Sequence, residues 1–215
     1  MPSSHPTARI PEAPDLAGAL MQARQTLLPK RLGTPGPDAA QLASILGAAA
    51  HAPDHGRLQP WRFVLVPQDA RAALGEAFAQ ALVERDAAAL PEQIAQAREK
   101  AGRAPVLLLA VVDSTCGDPA IDLAERLISA GCAVQNMLLM ATAHGFGSAL
   151  TSGKAMHSRA LRQLFALGDA EQALCFISVG RPAAPKPPPP RPAPQTYLST
   201  LQPQGGTVPG VAYGG

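Results

Sequence analysis

The sequence predicts an α+β domain, and three observations carry that reading. Apolar residues recur at helical spacing around residues 42–49 and 121–143. Two short apolar runs without that spacing, Pro105–Val112 and Leu174–Val179, read as strands, the first covered on both faces. The segment Ala52–Val66 joins a helix pattern directly to a strand pattern through dense turn chemistry. With 215 residues, 47% of them hydrophobic, the chain can bury one sizeable core and is short for a second full domain.

The elements follow in order. Pro2, Pro6, Pro11 and Pro14 among Ser, Thr and Ala make residues 1–14 a flexible lead, and the first helix begins near Asp15. Asp38, with Gln41 three positions on, starts a helix carrying Leu42, Ile45, Leu46 and Ala49, which Pro53 ends. After Pro60, Trp61 and Phe63–Val66 are strand-like, so His55, Gly56 and Arg57 lie on a loop between two packed elements, where function often resides. Asp69–Ala89 and the stretch after Pro91 are rich in Ala, Gln, Glu and Arg and read as surface helices with a thin apolar face. Pro105–Val112 belongs at the centre of a sheet.

Ile121–Ala143 is a long helix, apolar around much of its circumference, with small residues at 130, 131, 133 and 141. It reads as the central helix of the monomer and as a surface buried between subunits. Gly145 and Gly147 close it and allow a tight turn into a short strand, Phe146–Leu150; helix before strand is the reverse of a dinucleotide-binding glycine fingerprint. Met156–Phe165 forms another helix with Leu161, Leu164 and Phe165 on one face, before the strand Leu174–Val179. The run Pro185–Pro194 is extended because proline cannot continue a helix; as a bare run it also suits a solvated linker or a ligand of proline-recognition modules. Residues 201–215 read as a flexible tail.

Several function classes fall away. A formal charge of +2 with no Lys/Arg cluster argues against nucleic acid. Cys116, Cys132 and Cys175 are odd in number and lack ligand spacing, so reduced thiols are expected and neither a disulfide framework nor a metal site. No basic leader precedes an apolar core and no run suits a membrane span, so a cytoplasmic protein without membrane contact is expected. There is no nucleophile elbow, His-Glu-x-x-His or P-loop, which suits a protein whose chemistry belongs to a bound cofactor.

The order Ala52-Pro53-Asp54-His55-Gly56, three residues, then Pro60-Trp61-Arg62-Phe63 closely resembles the FMN-dependent nitroreductase family, in its small, minimal-length branch of NAD(P)H nitroreductases. Two further segments carry the likeness. Arg24-Gln25-Thr26 stands where the family has an Arg-Arg-Ser type motif, and Gly145-Phe146-Gly147 through Leu150-Thr151-Ser152-Gly153 stands where it has Gly-Phe-Gly followed by Trp-Arg-Ser-Gly. The resemblance covers residues 16–200 and implies a single nitroreductase-like domain over 15–200. Its central sheet would be mixed but mainly antiparallel and flanked by helices, with the proline-rich arm extending onto a partner subunit.

It also implies a site. FMN would be held across a homodimer interface, with Arg24 on its phosphate and Gln25 and Thr26 donating to phosphate, ribityl chain or ring edge. His51 and His55 would contact FMN bound mainly by the partner. Leu150, Thr151 and Ser152 offer backbone and a hydroxyl where the family has a large aromatic and a cation, and Arg191 or Lys186 would replace that charge. Met140, Ala141, Thr142, Ala143, His144 and Gly145 match a stretch assigned to the nicotinamide cofactor, though the same composition suits core. Arg57, Arg62 and Arg103 are candidates for the extra phosphate of NADPH. The implied activity is ping-pong hydride transfer from NADH or NADPH through flavin N5 to nitroaromatic, quinone-like or related small acceptors. A non-catalytic FMN carrier, a flavin-free dimeric interaction protein and an oxygen-dependent flavin-fragmenting activity are the alternatives.

Overall fold

The computed structural model describes residues 12–184, 187 and 189–210, and these divide into a main unit up to residue 185 and a C-terminal unit from residue 186. In the main unit the helices are α1 (Ala13–Ala23), α2 (Ala39–Ala48), α3 (Arg71–Arg85), α4 (Pro91–Glu99), α5 (Leu123–Ala143) and α6 (Arg159–Leu164). Its strands are β1 (Leu32–Gly33), β2 (Trp61–Leu65), β3 (Val106–Asp113), β4 (Gly147–Thr151) and β5 (Glu171–Pro182).

Local chemistry sets the boundaries. The Asp38 carboxylate accepts the Gln41 N–H at 2.8 Å while the Gln41 side-chain oxygen accepts the Asp38 N–H at 3.0 Å. This reciprocal cap is worth about 0.5–2 kcal/mol and starts α2 where the sequence places it. A short 3₁₀ turn, Ala49–His51, finishes that helix before Pro53. Asp122 caps α5 by accepting the Glu125 N–H at 3.0 Å, and Gly145, at φ 77°, turns the chain out of it.

The strand pairs are antiparallel. β5 is central: β3 and β4 both pair with its residues 176–179 and so flank it, β2 lies outside β3, and β1 joins at Pro182 and Arg181. The parallel element of the sheet is a bridge between Thr26 and Ser148, with the Leu27 N–H donating to the Ser148 carbonyl at 2.9 Å. A mixed, mainly antiparallel sheet flanked by helices is therefore what the chain forms. β3 is central and almost wholly buried, as its unbroken apolar run predicts.

Each face of the sheet carries its own core. On one side α2 and α5 pack Ile45, Ala133 and Met137 against Leu108, Ile177 and Val179. On the other, Leu74 of α3 and Leu161 of α6 pack with Leu107, Leu109 and Phe176. Here the structure corrects the expectation of a thin apolar face on α3. That helix buries Leu74, Gly75, Ala77, Ala79 and Ala81, because its small residues admit neighbours closely: a Cβ on Gly75 would stand 3.0 Å from the Arg98 carbonyl of α4.

Two arginines are buried without a carboxylate. Arg71 donates to the carbonyls of Val66, Ala101 and Pro105, tying α3 to the chain on either side of it. Arg126 donates to the carbonyls of Ile121, Cys116 and Asp118, fixing the loop ahead of α5. The three cysteines are free thiols, and burial pushes the Cys175 thiol up to about 11.

In the C-terminal unit, β6 (Ser199–Leu201) pairs antiparallel with β7 (Thr207–Pro209), and the Thr200 hydroxyl donates to the Gly210 carbonyl at 2.9 Å. Residues 201–209, expected as tail, thus contribute to a hairpin. Residues 1–11 of the expected lead, the end of the tail from 211, and Pro185, Lys186 and Pro188 of the proline run lie outside the described residues.

Candidate active site

The bridge between Thr26 and Ser148 brings two of the three sequence motifs together. Arg24 closes α1, its N–H donating to the Leu20 carbonyl at 3.1 Å, and the chain then runs beside β4. Gly147 makes the approach possible, since a Cβ there would stand 2.5 Å from Leu27 and 3.0 Å from Leu32. Arg24 and Gln25 are half-buried and Thr26 is exposed. β4 is buried over its first three residues and emerges at Leu150 and Thr151. A hydroxyl residue, Thr26, therefore lies beside the strand that ends at Thr151, with the guanidinium of Arg24 two positions before it in the chain.

Beyond that end opens a cavity of about 530 Å³, within the usual range for small-molecule sites. Its floor is Leu107, Met156, Phe176 and Ser178 from the sheet side, all buried. Thr151, Ser152 and Gly153 form one wall, beside Leu28 and Pro29 from the chain that follows Thr26. The opposite wall comes from α3 and α4, with Phe78, Leu82 and Arg85 facing Gln93, Gln96 and Lys100. Arg103 and Lys154 add two further cations, and no Asp or Glu lines the space. Of the expected site residues, Thr151 and Ser152 line this cavity; Arg24, Gln25, Thr26, Leu150, His51 and His55 do not. Arg85, Lys100 and Lys154 went unremarked in the sequence because each stands alone in a charged or polar stretch, and only the packing of α3 and α4 over the sheet gathers them.

His51 and His55 are elsewhere. Both are exposed and lie on the junction between α2 and β2, where Gly56 (φ 69°) and Arg57 (φ 53°) take left-handed conformations and Asp54 accepts the Gln59 N–H at 2.7 Å. His55 Nδ1 lies 2.6 Å from the Glu125 carboxylate at the start of α5. That hydrogen bond, and then the glutamate's charge, raise the imidazole pKa. β2 is on the opposite edge of the sheet from β4: Thr151 registers with Phe176, Leu109 and Val64 in turn. Three strand spacings, roughly 14 Å, separate the two edges.

Met140–Gly145 lie at the end of α5, apart from the cavity lining. Ala141 is fully buried, the Thr142 hydroxyl donates to the Leu138 carbonyl at 2.8 Å, and His144 Nε2 is 3.0 Å from the Ser44 hydroxyl. Their surroundings are those of core and helix end. Arg62 is engaged by a two-pronged contact to Glu171 at 2.6 and 3.0 Å, whereas Arg103 borders the cavity. Arg191 belongs to the C-terminal unit.

Comparison with known proteins decides the family. The sequence model described as Nitroreductase family matches residues 32–181. The chain belongs to the nitroreductase family. A protein of Haemophilus influenzae named "Putative NAD(P)H nitroreductase" is 33% identical over 153 residues, spanning 70% of this chain and 81% of that one. Among solved structures, the nitroreductase-like family protein of Bacillus cereus shares the fold at a TM-score of 0.71 and 17% identity, over 83% of this chain and 91% of that one. A variant of the FMN- and NADPH-dependent nitroreductase NfnB, from sphigopyxis sp. strain HMH, does so at 0.67 and 23%, over 85% and 97%. Membership in the nitroreductase family makes the protein an oxidoreductase. No helix among the described residues is long and apolar enough to cross a membrane.

Proposed function

We propose that the protein is an FMN-dependent NAD(P)H oxidoreductase that reduces nitroaromatic, quinone-like or related small acceptors in two half-reactions. The observation that carries this reading is the bridge between Thr26 and Ser148, which joins the segment that follows Arg24 and Gln25 to the strand leading to Thr151. The donor set fits FMN: a guanidinium and hydroxyls for a phosphate and its ribityl chain, backbone at the end of β4, and an apolar floor beside it. When bound, FMN supplies the hydride chemistry, accepting from NADH or NADPH and passing electrons to the second substrate.

The chain's own residues bind and orient. Arg24 pairs with the phosphate, a charge-assisted contact worth about 1.5–3 kcal/mol. Gln25, Thr26 and Ser152 donate to the ribityl chain or ring edge, and the half-exposed Leu150 stands in the place of the family's large aromatic, with Thr151 in the place of its cation. A homodimer completes the site, with His51 and His55 of the partner subunit facing the flavin. Support for the dimer is α1, an amphipathic helix that buries no residue of its own, and the junction that carries His51 and His55, which leads into β2, the edge of the sheet opposite β4.

The test is the visible spectrum of the purified protein after FMN addition and dialysis. Retained flavin bands in the parent and loss of at least about tenfold in affinity in Arg24→Ala are expected. Flavin retained equally by both would remove Arg24 from the site; flavin retained by neither would leave a flavin-free dimeric module.

A further inference from the structure

The start of α5 grips the junction between α2 and β2 at two points one helical turn apart. The Glu125 carboxylate lies 2.6 Å from His55 Nδ1, and the buried Ser129 hydroxyl accepts the Trp61 indole N–H at 3.0 Å. The junction also rests on the loop ahead of that helix. Ile121 packs beneath Gly56, where an added Cβ would stand 3.0 Å from it, and Gly117 leaves the room that Leu58 fills. Arg126 holds this loop by donating to the carbonyls of Cys116, Asp118 and Ile121, so His55 is presented from a fixed base. A carboxylate only accepts, so the ring nitrogen facing Glu125 carries a proton and Nε2 is left for a further partner.

Resting on the flavin reading, we propose that Glu125 is a positioning residue for the flavin site: it holds the His55 ring by Nδ1 and leaves the Nε2–H to donate to an oxygen or nitrogen of the FMN bound by the partner subunit. The groups facing the ring from α5 and the loop before it are Glu125 and Asp118, both acidic. Asp122 caps α5 through the Glu125 N–H, and Arg126 is spent on the loop carbonyls. On the junction itself stand His51, Arg57 and Asp54, whose carboxylate accepts the Gln59 N–H. The hydrogen bond to Glu125, and then its charge, favour the imidazolium, in which both ring nitrogens donate. Once the ring is neutral the remaining proton stays on Nδ1 against Glu125, and Nε2 turns from donor to acceptor. Donation to the flavin is therefore present below the His55 midpoint and lost as pH rises through it.

The experiment measures binding, not turnover. Dissociation constants of FMN and riboflavin are read from flavin fluorescence between about pH 5.5 and 9, beside an NMR titration of the His55 ring with and without flavin. FMN is expected to bind about tenfold tighter below the His55 midpoint than above it. By reciprocity, bound flavin should then raise that midpoint by about one pH unit. His55→Gln should remove the step, leaving only what the phosphate's own ionisation near about pH 6 contributes. Glu125→Gln keeps the shape of the partner without its charge and should move the step to lower pH. Glu125→Ala frees the ring and should weaken binding below the midpoint as well. A step for FMN alone assigns the acceptor to the phosphate, and a step for both flavins assigns it to the ring or ribityl chain; either supports the proposal. A step that stays at the same pH in both Glu125 variants overturns it, whatever happens to Tm, because Glu125 then serves stability alone. So does His55→Gln binding flavin with the pH dependence of the parent. Affinity independent of pH in the parent overturns this proposal and leaves the flavin reading standing, whereas a parent that binds neither flavin at any pH overturns both.

Discussion

At the scale of single residues, the best-marked motif turns on His55. The sequence placed it on a loop between a helix and a strand, and that is where it lies, but its partner Glu125 is 70 positions away and no local spacing announces it. The pair is exposed, and its consequence is a titration. Hydrogen bonding to Glu125, the charge of that carboxylate and, more weakly, that of Asp118 raise the His55 pKa above 6.5 against the lowering effect of desolvation. The sign follows: the folded state holds the proton more tightly, so this stabilisation is fully present below the unfolded pKa and is lost as pH rises through the folded one. An NMR titration of the His55 ring should give a midpoint above 6.5, and Glu125→Gln should bring it down. A midpoint indifferent to that substitution would detach His55 from Glu125.

At the scale of elements, β4 and the strip beside it form the most constrained part of the site. Gly147 faces Leu27 and Leu32, and the extra carbon of Gly147→Ala, 2.5 Å from a Leu27 methyl, must push that buried side chain, which follows Arg24–Thr26 directly, out of its place. Overpacking of this kind costs about 1–3 kcal/mol. In a domain of this size each kcal/mol lowers Tm by about 2–4 °C, and FMN retention should weaken with it. Unchanged Tm and retention would mean that Leu27 swings aside freely. Much of this architecture was legible: the Asp38–Gln41 cap, the break at Pro53, the covered strand Val106–Asp113 and the turn at Gly145 each follow from chemistry within a few residues. The rest was not, because it depends on pairing at a distance. The bridge between Thr26 and Ser148, the two-residue strand Leu32–Gly33 and the approach of α4 to Gly75 leave no periodic trace, and the buried Arg71 and Arg126 read locally as ordinary surface cations.

At the scale of the whole molecule, the sequence assigned Ile121–Ala143 both to the core and to a subunit contact, and the helix has a face for each. Ala130, Ala133, Val134, Met137 and Ala141 point inward. Leu127 and Ile128 point outward, 38% and 64% exposed, on a stripe continued by Ala124 and Gly131 at helical spacing; nothing lies within 4 Å of a Cβ placed on Gly131. α1 exposes Leu16 and Met21 and packs with the same helix. An apolar stripe with small residues suits close contact with a second copy, and such contact would also carry the α2–β2 junction of one protomer toward β4 of the other. Ile128→Arg places a charge in that contact and should turn the proposed dimer into a monomer in sedimentation, with folding intact by circular dichroism and, on the proposed two-chain site, FMN retention reduced. Ile128→Val keeps the apolar character and should remain dimeric. A parent that sediments as a monomer while still retaining FMN would place the whole flavin site within one chain, and His51 and His55 would then have no part in it.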